Sequence, residues 1–544
     1  MSTVDLTAAA SVVETCKDVV NQAIRHLAGL ADRADTVIDA HQQAVYDLAH
    51  AASAVENARA VIDYGNRGDL ESRLAAAFVA DAAYDVAVRL LSREAEWGVA
   101  PGALDPAMPF VREYRSAEFL ATLADDVAAA KGGPRHLDPD FELVQDTFRR
   151  FADEVVRPQA EHVHRHNADV PEDVIAGLAE MGGFGLSVPE EYGGYATGGE
   201  GEYLGMVVAT EELSRGSLGI GGSLITRPEI MTRALVRGGT EAQKQSWLPR
   251  VATAEVMCAV AATEPDYGSD VAGIKVTATA TDDGQNYAIN GVKTWCTFAA
   301  RANVLLLLAR TDPDRSKTHR GISMFIVPKP QADGHGFTFT ETNADGSVGK
   351  LEGRPIDTLG YRGMHSYEIA LENWWVPAAN LVGEEAGLGK GFYFQMEGFE
   401  NGRLQTAARA VGLMQAAYEA AQSYAENRRV FGSNIVEYQL TKVKLARMAV
   451  IIQASRQFSY QVAKLMGKGE GAMEASMVKA YVCRAAEWVT REAMQIHGGM
   501  GYAEEFPVSR YFVDARVLSI FEGADETLCL KVIARRLLES AGAR

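Results

Sequence analysis

The chain has 544 residues, 47% hydrophobic and 23% charged, an ordinary globular mixture long enough for about three or four domains. Disorder and low complexity are excluded as its main description. Fifty-three basic against 72 acidic residues leave a net charge of −19, which argues against a protein that coats nucleic acid, because that affinity rests on Lys and Arg neutralising phosphates.

In chain order, residues from about 6 to 130 are Ala-rich and carry apolar residues at helical spacing. The breaker cluster KGGPRHLDPD, Lys131–Asp140, marks a boundary. Helical patterning resumes in FELVQDTFRRFADEVVRP, where Pro158 predicts a stop, and continues to about Ala254. From about Cys258 to Pro377 short β-rich runs follow, VTATATD, YAINGVKTW, NVLLLLAR, ISMFIVP and FTFTET, separated by turn signals such as DDGQN and NADGS. Long amphipathic helices return after Gly391. The expected organisation is α+β and multidomain: a helical extension over 1–135, a helical domain over 136–257, a β domain over 258–380 and a helical bundle over 381–544.

The five cysteines, Cys16, Cys258, Cys296, Cys483 and Cys529, form no C-x-x-C pair, so neither a disulfide scaffold nor a structural zinc site is expected. The first residues lack the basic n-region of a signal peptide, and the longest aliphatic run, Val304–Ala309, is too short to span a bilayer. A cytoplasmic protein without membrane or nucleic-acid partners is the expectation. Neither a G-x-G-x-x-G after a strand nor a P-loop is present. His162, His164 and His166 alternate in EHVHRH, but no metal site is expected of a segment that follows a helix.

Four motifs point to chemistry. In ATEPDYGSDVAG, Ala262–Gly273, Thr263 and Ser269 offer hydroxyls and Gly268 permits close backbone approach; a plain surface loop would look the same. In GVKTWCTFAARAN, Gly291–Asn303, Trp295 and Thr297 flank Cys296, and on a strand they would share a face: an indole to stack on a flat ligand and a hydroxyl to bond its edge. A core tryptophan is the plainer alternative. In NRRVFGSNIVEYQ, Asn427–Gln439, Arg428 or Arg429 offers a bidentate clamp for a pyrophosphate, or else a solvated helix end. In QIHGGMGYAEEFPVSRYFVDARVLSIFEGADETL, Glu522 stands between Phe521 and Gly523. Partial desolvation there would raise its pKa and suit a general base, although a capping or salt-bridged Glu is commoner.

Together, in this order, the motifs resemble the acyl-CoA dehydrogenase family of flavoproteins, from about residue 140 to the end. ATEPDYGSDVAG is similar to its T-E-P-x-x-G-S-D signature, GVKTWCTF to its W-x-T segment, NRRVFGSNIVEYQ to R-x-x-F-G…Q, and QIHGGMGY with IFEG to Q-x-x-G-G-x-G…Y-E-G. The resemblance implies a helical domain, a central β domain and a C-terminal four-helix bundle. It also implies FAD as cofactor, an acyl-CoA substrate, an electron-transfer flavoprotein as acceptor and a homodimer or homotetramer.

By the same resemblance, Thr297 meets the flavin N5 edge, Trp295 packs on the ring, and Thr263 and Ser269 hold the pyrimidine side and the pyrophosphate; Ser269 also counts as a substrate contact. Arg428, Phe431, Gln439, Gln495, Gly498 and Gly499 contact pyrophosphate and adenosine, several from a neighbouring subunit. Glu522 is the base that takes the α-proton of the thioester while the β-carbon gives a hydride to flavin. Where the family has a hydroxyl residue after E-G this chain has Ala524, which puts one FAD contact in doubt. Some branches carry the base on an earlier helix; here that position is Gly402, which leaves Arg403 to shape the substrate site.

The extension and the EELSRGSLGIGGSLITRPEI segment resemble the family's methylsuccinyl-CoA branch, which forms mesaconyl-CoA in the ethylmalonyl-CoA route. Its substrate's free carboxylate calls for a cation. Arg227 is the nearest candidate, with Arg403 second, and Gly221, Gly222 and Ser223 would leave room for a methyl branch. The alternatives are another short or branched acyl-CoA, an oxidase, or the DNA-binding alkylation-response branch, which the acidic charge disfavours.

Overall fold

The computed structural model describes residues 4–333 and 335–542. Contacts divide them into two compact units: one of residues 4–147, 207–215 and 403–542, the other of 148–206, 216–333 and 335–402.

The first unit is helical. Its early helices, Leu6–Ala28, Gln42–Gly65, Asp69–Leu90 and Ala117–Ala129, match the Ala-rich periodicity. The Gln42–Gly65 helix is buried nearly all round, and Ala44, Ala49, Ala51, Ala54 and Ala58 are small enough to let neighbours approach closely. Those neighbours include Gln439–Gly467, Ala472–Ile496 and the π-helical Leu528–Ala534. The expected apolar face of the extension is therefore covered by the C-terminal bundle. The breaker cluster is tied down as well: Gln453 Nε2 donates to the carbonyls of Gly132 (2.9 Å) and Gly133 (2.7 Å), and Tyr64 Oη to that of Pro134 (3.0 Å). Arg135 and Arg456 clamp the buried carboxylates of Glu211 and Glu212, with Arg456 Nε 2.9 Å and Arg135 Nη2 3.1 Å from Glu211 Oε1.

The helical segment over 139–166 corrects one expectation. Pro158 does not end the helix. The Pro139–Phe151 helix widens into a π-turn over Ala152–Val156 and continues as Arg157–His166. The widened turn absorbs the backbone donor that proline lacks. His162 and His166 consequently lie one turn apart with tilted rings, centroids 4.4 Å, while His164 is buried.

The second unit is built on an eight-stranded sheet: β1 Cys258–Ala261, β2 Thr277–Ala280, β3 Asn286–Lys293, β4 Val304–Arg310, β5 Ile322–Pro328, β6 Phe337–Thr342, β7 Val348–Ile356 and β8 Ser366–Pro377. The order is β1-β4-β2-β3-β8-β7-β6, with β5 antiparallel on β4. β4 and β5 are almost wholly buried, as their unbroken apolar runs require. A bulge interrupts β3 against β8 between Ile289 and Gly291. Gly291 has φ +134°, and a Cβ there would lie 2.7 Å from Val276 Cγ2, so only glycine fits. Cys258 is buried, and burial pushes its thiol up to about 12, as for a packed residue rather than a nucleophile.

Candidate active site

In the second unit the T-E-P loop is built on Glu264. Its backbone closes a tight turn with Tyr267, and its buried carboxylate accepts from the amides of Lys275 (2.6 Å) and Val276 (2.9 Å). The buried Lys293 Nζ bonds Glu264 Oε1 (2.9 Å) and the Ala262 carbonyl (3.0 Å). This pair, which the motif reading passed over, fixes the loop to the end of β3. Thr263 is bound alongside, its carbonyl accepting from Thr294 N at 2.9 Å. Ser269 and Gly268 are exposed at the loop's far side.

Trp295 and Thr297 do not share a strand face, contrary to the alternation argument. β3 stops at Lys293, and Trp295 (φ +57°) and Phe298 (φ +70°) turn the backbone into the left-handed region, which destroys the two-residue alternation. Backbone bonds from Cys296 to Tyr367 and from Phe298 to Met364 and His365 hold the turn. The result parts the two side chains: the Trp295 indole is 54% exposed, while the Thr297 hydroxyl is buried 3.0 Å from Ser366 Oγ.

Arg227 begins the Thr226–Gly238 helix after a π-turn over Leu218–Gly222. It is not a surface arginine. It is 6% exposed, and its Nη1 donates to Tyr361 Oη (3.0 Å) and the Ser223 carbonyl (3.2 Å). Among the described residues no carboxylate pairs with it.

In the first unit, Arg429 is spent locally, its guanidinium capping the Gly432 carbonyl at 2.7 and 2.9 Å. Its neighbour Arg428 is exposed and, among the described residues, makes no side-chain hydrogen bond or ion pair. Phe431, at φ +49°, is fully exposed, and Gln439 opens the following helix at the surface. Gln495 lies exposed near the end of the Ala472–Ile496 helix. Gly498 adopts φ +58°, ψ −135°, a glycine conformation, and a Cβ at Gly498 or Gly499 would meet nothing, so both present bare backbone.

Glu522 is half-buried in a turn after the Val508–Leu518 helix, with φ +53° at Glu522 and +100° at Gly523. The buried Lys479 Nζ donates to the Gly523 carbonyl at 2.6 Å. Burial lowers the Lys479 pKa, with Cys483, Asp525 and Glu522 opposing and Arg403 reinforcing the shift. Arg403, also buried, reaches Ser476 Oγ at 3.3 Å. Arg409 lies over the Phe521 ring at 4.8 Å.

Three family models match the chain in succession: acyl-CoA dehydrogenase N-terminal domain over 138–255, middle domain over 259–374 and C-terminal domain over 389–538. The chain belongs to the acyl-CoA dehydrogenase family. It is an FAD-dependent oxidoreductase acting on CH–CH bonds. It is 43% identical to (2S)-methylsuccinyl-CoA dehydrogenase of Cereibacter sphaeroides over 78% of this chain and 74% of that one. Among solved structures it resembles a glutaryl-coenzyme A dehydrogenase in complex with glutaryl-CoA (TM-score 0.67, 30% identity, 75% of this chain and 97% of that one). It also resembles a glutaryl-CoA dehydrogenase from Mycobacterium smegmatis in complex with FADH2 (TM-score 0.62, 25% identity, 72% and 93%). Each unit offers groups that suit part of a flavin dinucleotide: the second an exposed indole for a ring, the first an exposed Arg428 and the open backbone at Gly498 and Gly499 for phosphates. Among the described residues no helix is long and apolar enough to cross a membrane.

Proposed function

We propose that this enzyme oxidises (2S)-methylsuccinyl-CoA to mesaconyl-CoA, as in the ethylmalonyl-CoA route. The observation that carries the reading is Arg227, a buried guanidinium with which no carboxylate pairs among the described residues. A buried cation is costly unless it is paired. A substrate whose acyl chain ends in a carboxylate supplies the missing charge, and in this reading the small residues Gly221, Gly222 and Ser223 of the preceding turn admit a methyl branch. The similarity to the Cereibacter sphaeroides enzyme supports the same substrate.

In this reading Glu522 takes the α-proton, and Lys479, bonded to the Gly523 carbonyl, holds the turn that carries it. When bound, FAD supplies hydride acceptance at the β-carbon. Trp295, Thr297, Thr263 and Ser269 hold its flavin end, and Arg428, Phe431, Gln439, Gln495, Gly498 and Gly499 its diphosphate and adenosine end. Arg403 shapes the acyl site. The exposed apolar side chains of Phe431, Leu440, Tyr502 and Ile520 support a homodimer or homotetramer in which they are covered. The enzyme works in the cytoplasm and passes its electrons to an electron-transfer flavoprotein. The working domain division is 1–135, 136–257, 258–380 and 381–544.

The test is a comparison of (2S)-methylsuccinyl-CoA with butyryl-CoA. Because a neutral chain would leave Arg227 unpaired, the dicarboxylate is expected to win by about 10²-fold or more in kcat/KM, and Arg227→Met to narrow the gap. Equal activity on butyryl-CoA would overturn the substrate assignment.

A further inference from the structure

The turn that carries Glu522 is held from an unexpected direction. Left-handed backbone at a residue with a Cβ persists only where its surroundings over-determine it. On one side Lys479 grips the Gly523 carbonyl. On the other, three residues past Glu522, the buried Asp525 closes its amide onto the Ser519 carbonyl (3.1 Å) and offers Oδ2 to two side chains. Tyr46 Oη donates to that oxygen at 2.5 Å and His50 Nε2 stands 3.1 Å from it. Tyr46 and His50 lie one turn apart on the Gln42–Gly65 helix, their rings edge to face at 4.7 Å. Cys529 Sγ, also buried, is 3.4 Å from the same His50 nitrogen. Both Tyr46 and His50 lie before residue 138, where the first family model begins.

We infer that Asp525 is a positioning residue for Glu522, and that Tyr46 and His50 of the N-terminal extension hold it in place. The inference rests on the reading of Glu522 as the base. The extension thereby does more than cover apolar surface: one of its helices completes the support of the catalytic turn. His50, Asp525 and Cys529 also have the spacing of a metal-ligand set. Yet Arg484 and Arg89 already place positive charge at His50, which favours a hydrogen-bonded trio over a bound cation.

The test uses the full-length, FAD-loaded enzyme and measures flavin reduction per bound FAD at saturating acyl-CoA, together with KM. Tyr46→Phe combined with His50→Ala is expected to slow reduction by about 10–10²-fold, since small misplacements of a reacting group cost that much, while KM stays within about twofold. Tyr46→Phe combined with His50→Gln, which restores one donor, should recover part of the rate. Should the double variants fail to fold, Asp525→Asn, of the same shape, is read in the same way. Wild-type reduction per bound FAD in these variants overturns the inference. Glu522→Gln separates the two claims: if it still reduces flavin at the wild-type rate the base assignment falls, whereas an inactive Glu522→Gln beside fully active Tyr46 and His50 variants removes only the role of the extension.

Discussion

Glu522 illustrates what a single residue needs from its surroundings. A carboxylate that removes a weakly acidic α-proton must be placed at that carbon, and its strained φ of +53° aims it from a turn rather than from a helix. Glu522→Gln keeps the shape and removes the proposed base, so binding of acyl-CoA should persist while flavin reduction falls by about 10²–10⁴-fold. Stopped-flow bleaching with substrate measures this. The sequence pointed to Glu522 through the FEG motif, but nothing in it announces a left-handed glutamate. The sequence offers Arg227 as the nearest cation for a substrate carboxylate, but beside Pro228 a surface arginine at a helix break reads equally well, and only the tertiary fold shows that it is buried. His50 carried no signal at all, because its partner Asp525 lies 475 residues away. Burial pushes the His50 imidazole below its ordinary range, with Arg484 and Arg89 adding to the shift and Asp525 opposing it. The unfolded chain therefore binds a proton more readily than the folded one below pH about 6.5, so the stability due to this site is present above that value and is lost as pH falls. Melting temperatures measured from pH 7 to pH 5 should drop more steeply in the wild type than in His50→Gln.

At the scale of elements, periodicity carried most of the information. Five strands, β2 to β6, coincide with β-rich runs read from the sequence, and the sheet begins at Cys258 and ends at Pro377 as those runs suggested. β1 is only four residues long, and β7 contains Gly349, Gly353 and Pro355, which blur its alternation. The turn over 294–298 reads as strand in the sequence because the positive φ angles of Trp295 and Phe298 have no composition signal in T-W-C-T-F. The buried ion pair between Glu264 and Lys293 explains how two motifs far apart in sequence act as one piece. Replacing Lys293 by Met leaves the Glu264 carboxylate in an apolar site with only two backbone donors. The expected cost is about 3–5 kcal/mol, the usual penalty for breaking a buried pair. Thermal unfolding should show it. Glu264→Gln combined with Lys293→Met should be less damaging than Lys293→Met alone, because the uncompensated charge is gone.

At the scale of the whole molecule, the family models account for residues 138 to 538, and the extension is what remains to be explained. Composition showed that it is helical and apolar on one face, but not what that face meets. The structure packs its longest helix on three bundle elements and adds Asp125 to Lys442 (2.7 Å), Asp81 to Arg447 (3.4 Å) and Asp35 to Arg535. These surface pairs contribute little singly; the buried alanine-lined contacts contribute most. Deleting residues 1–135 would bare the bundle faces of Gln439–Gly467 and Ala472–Ile496 and would also remove Arg135, which pairs with the buried Glu211 and Glu212. The truncated protein is expected to aggregate or to melt at a markedly lower temperature, and to retain less FAD after gel filtration. Size-exclusion profiles and the ratio of flavin to protein absorbance report both effects. A truncated protein that stays soluble, melts like the full chain and keeps its flavin would show that the bundle is stable without its cover.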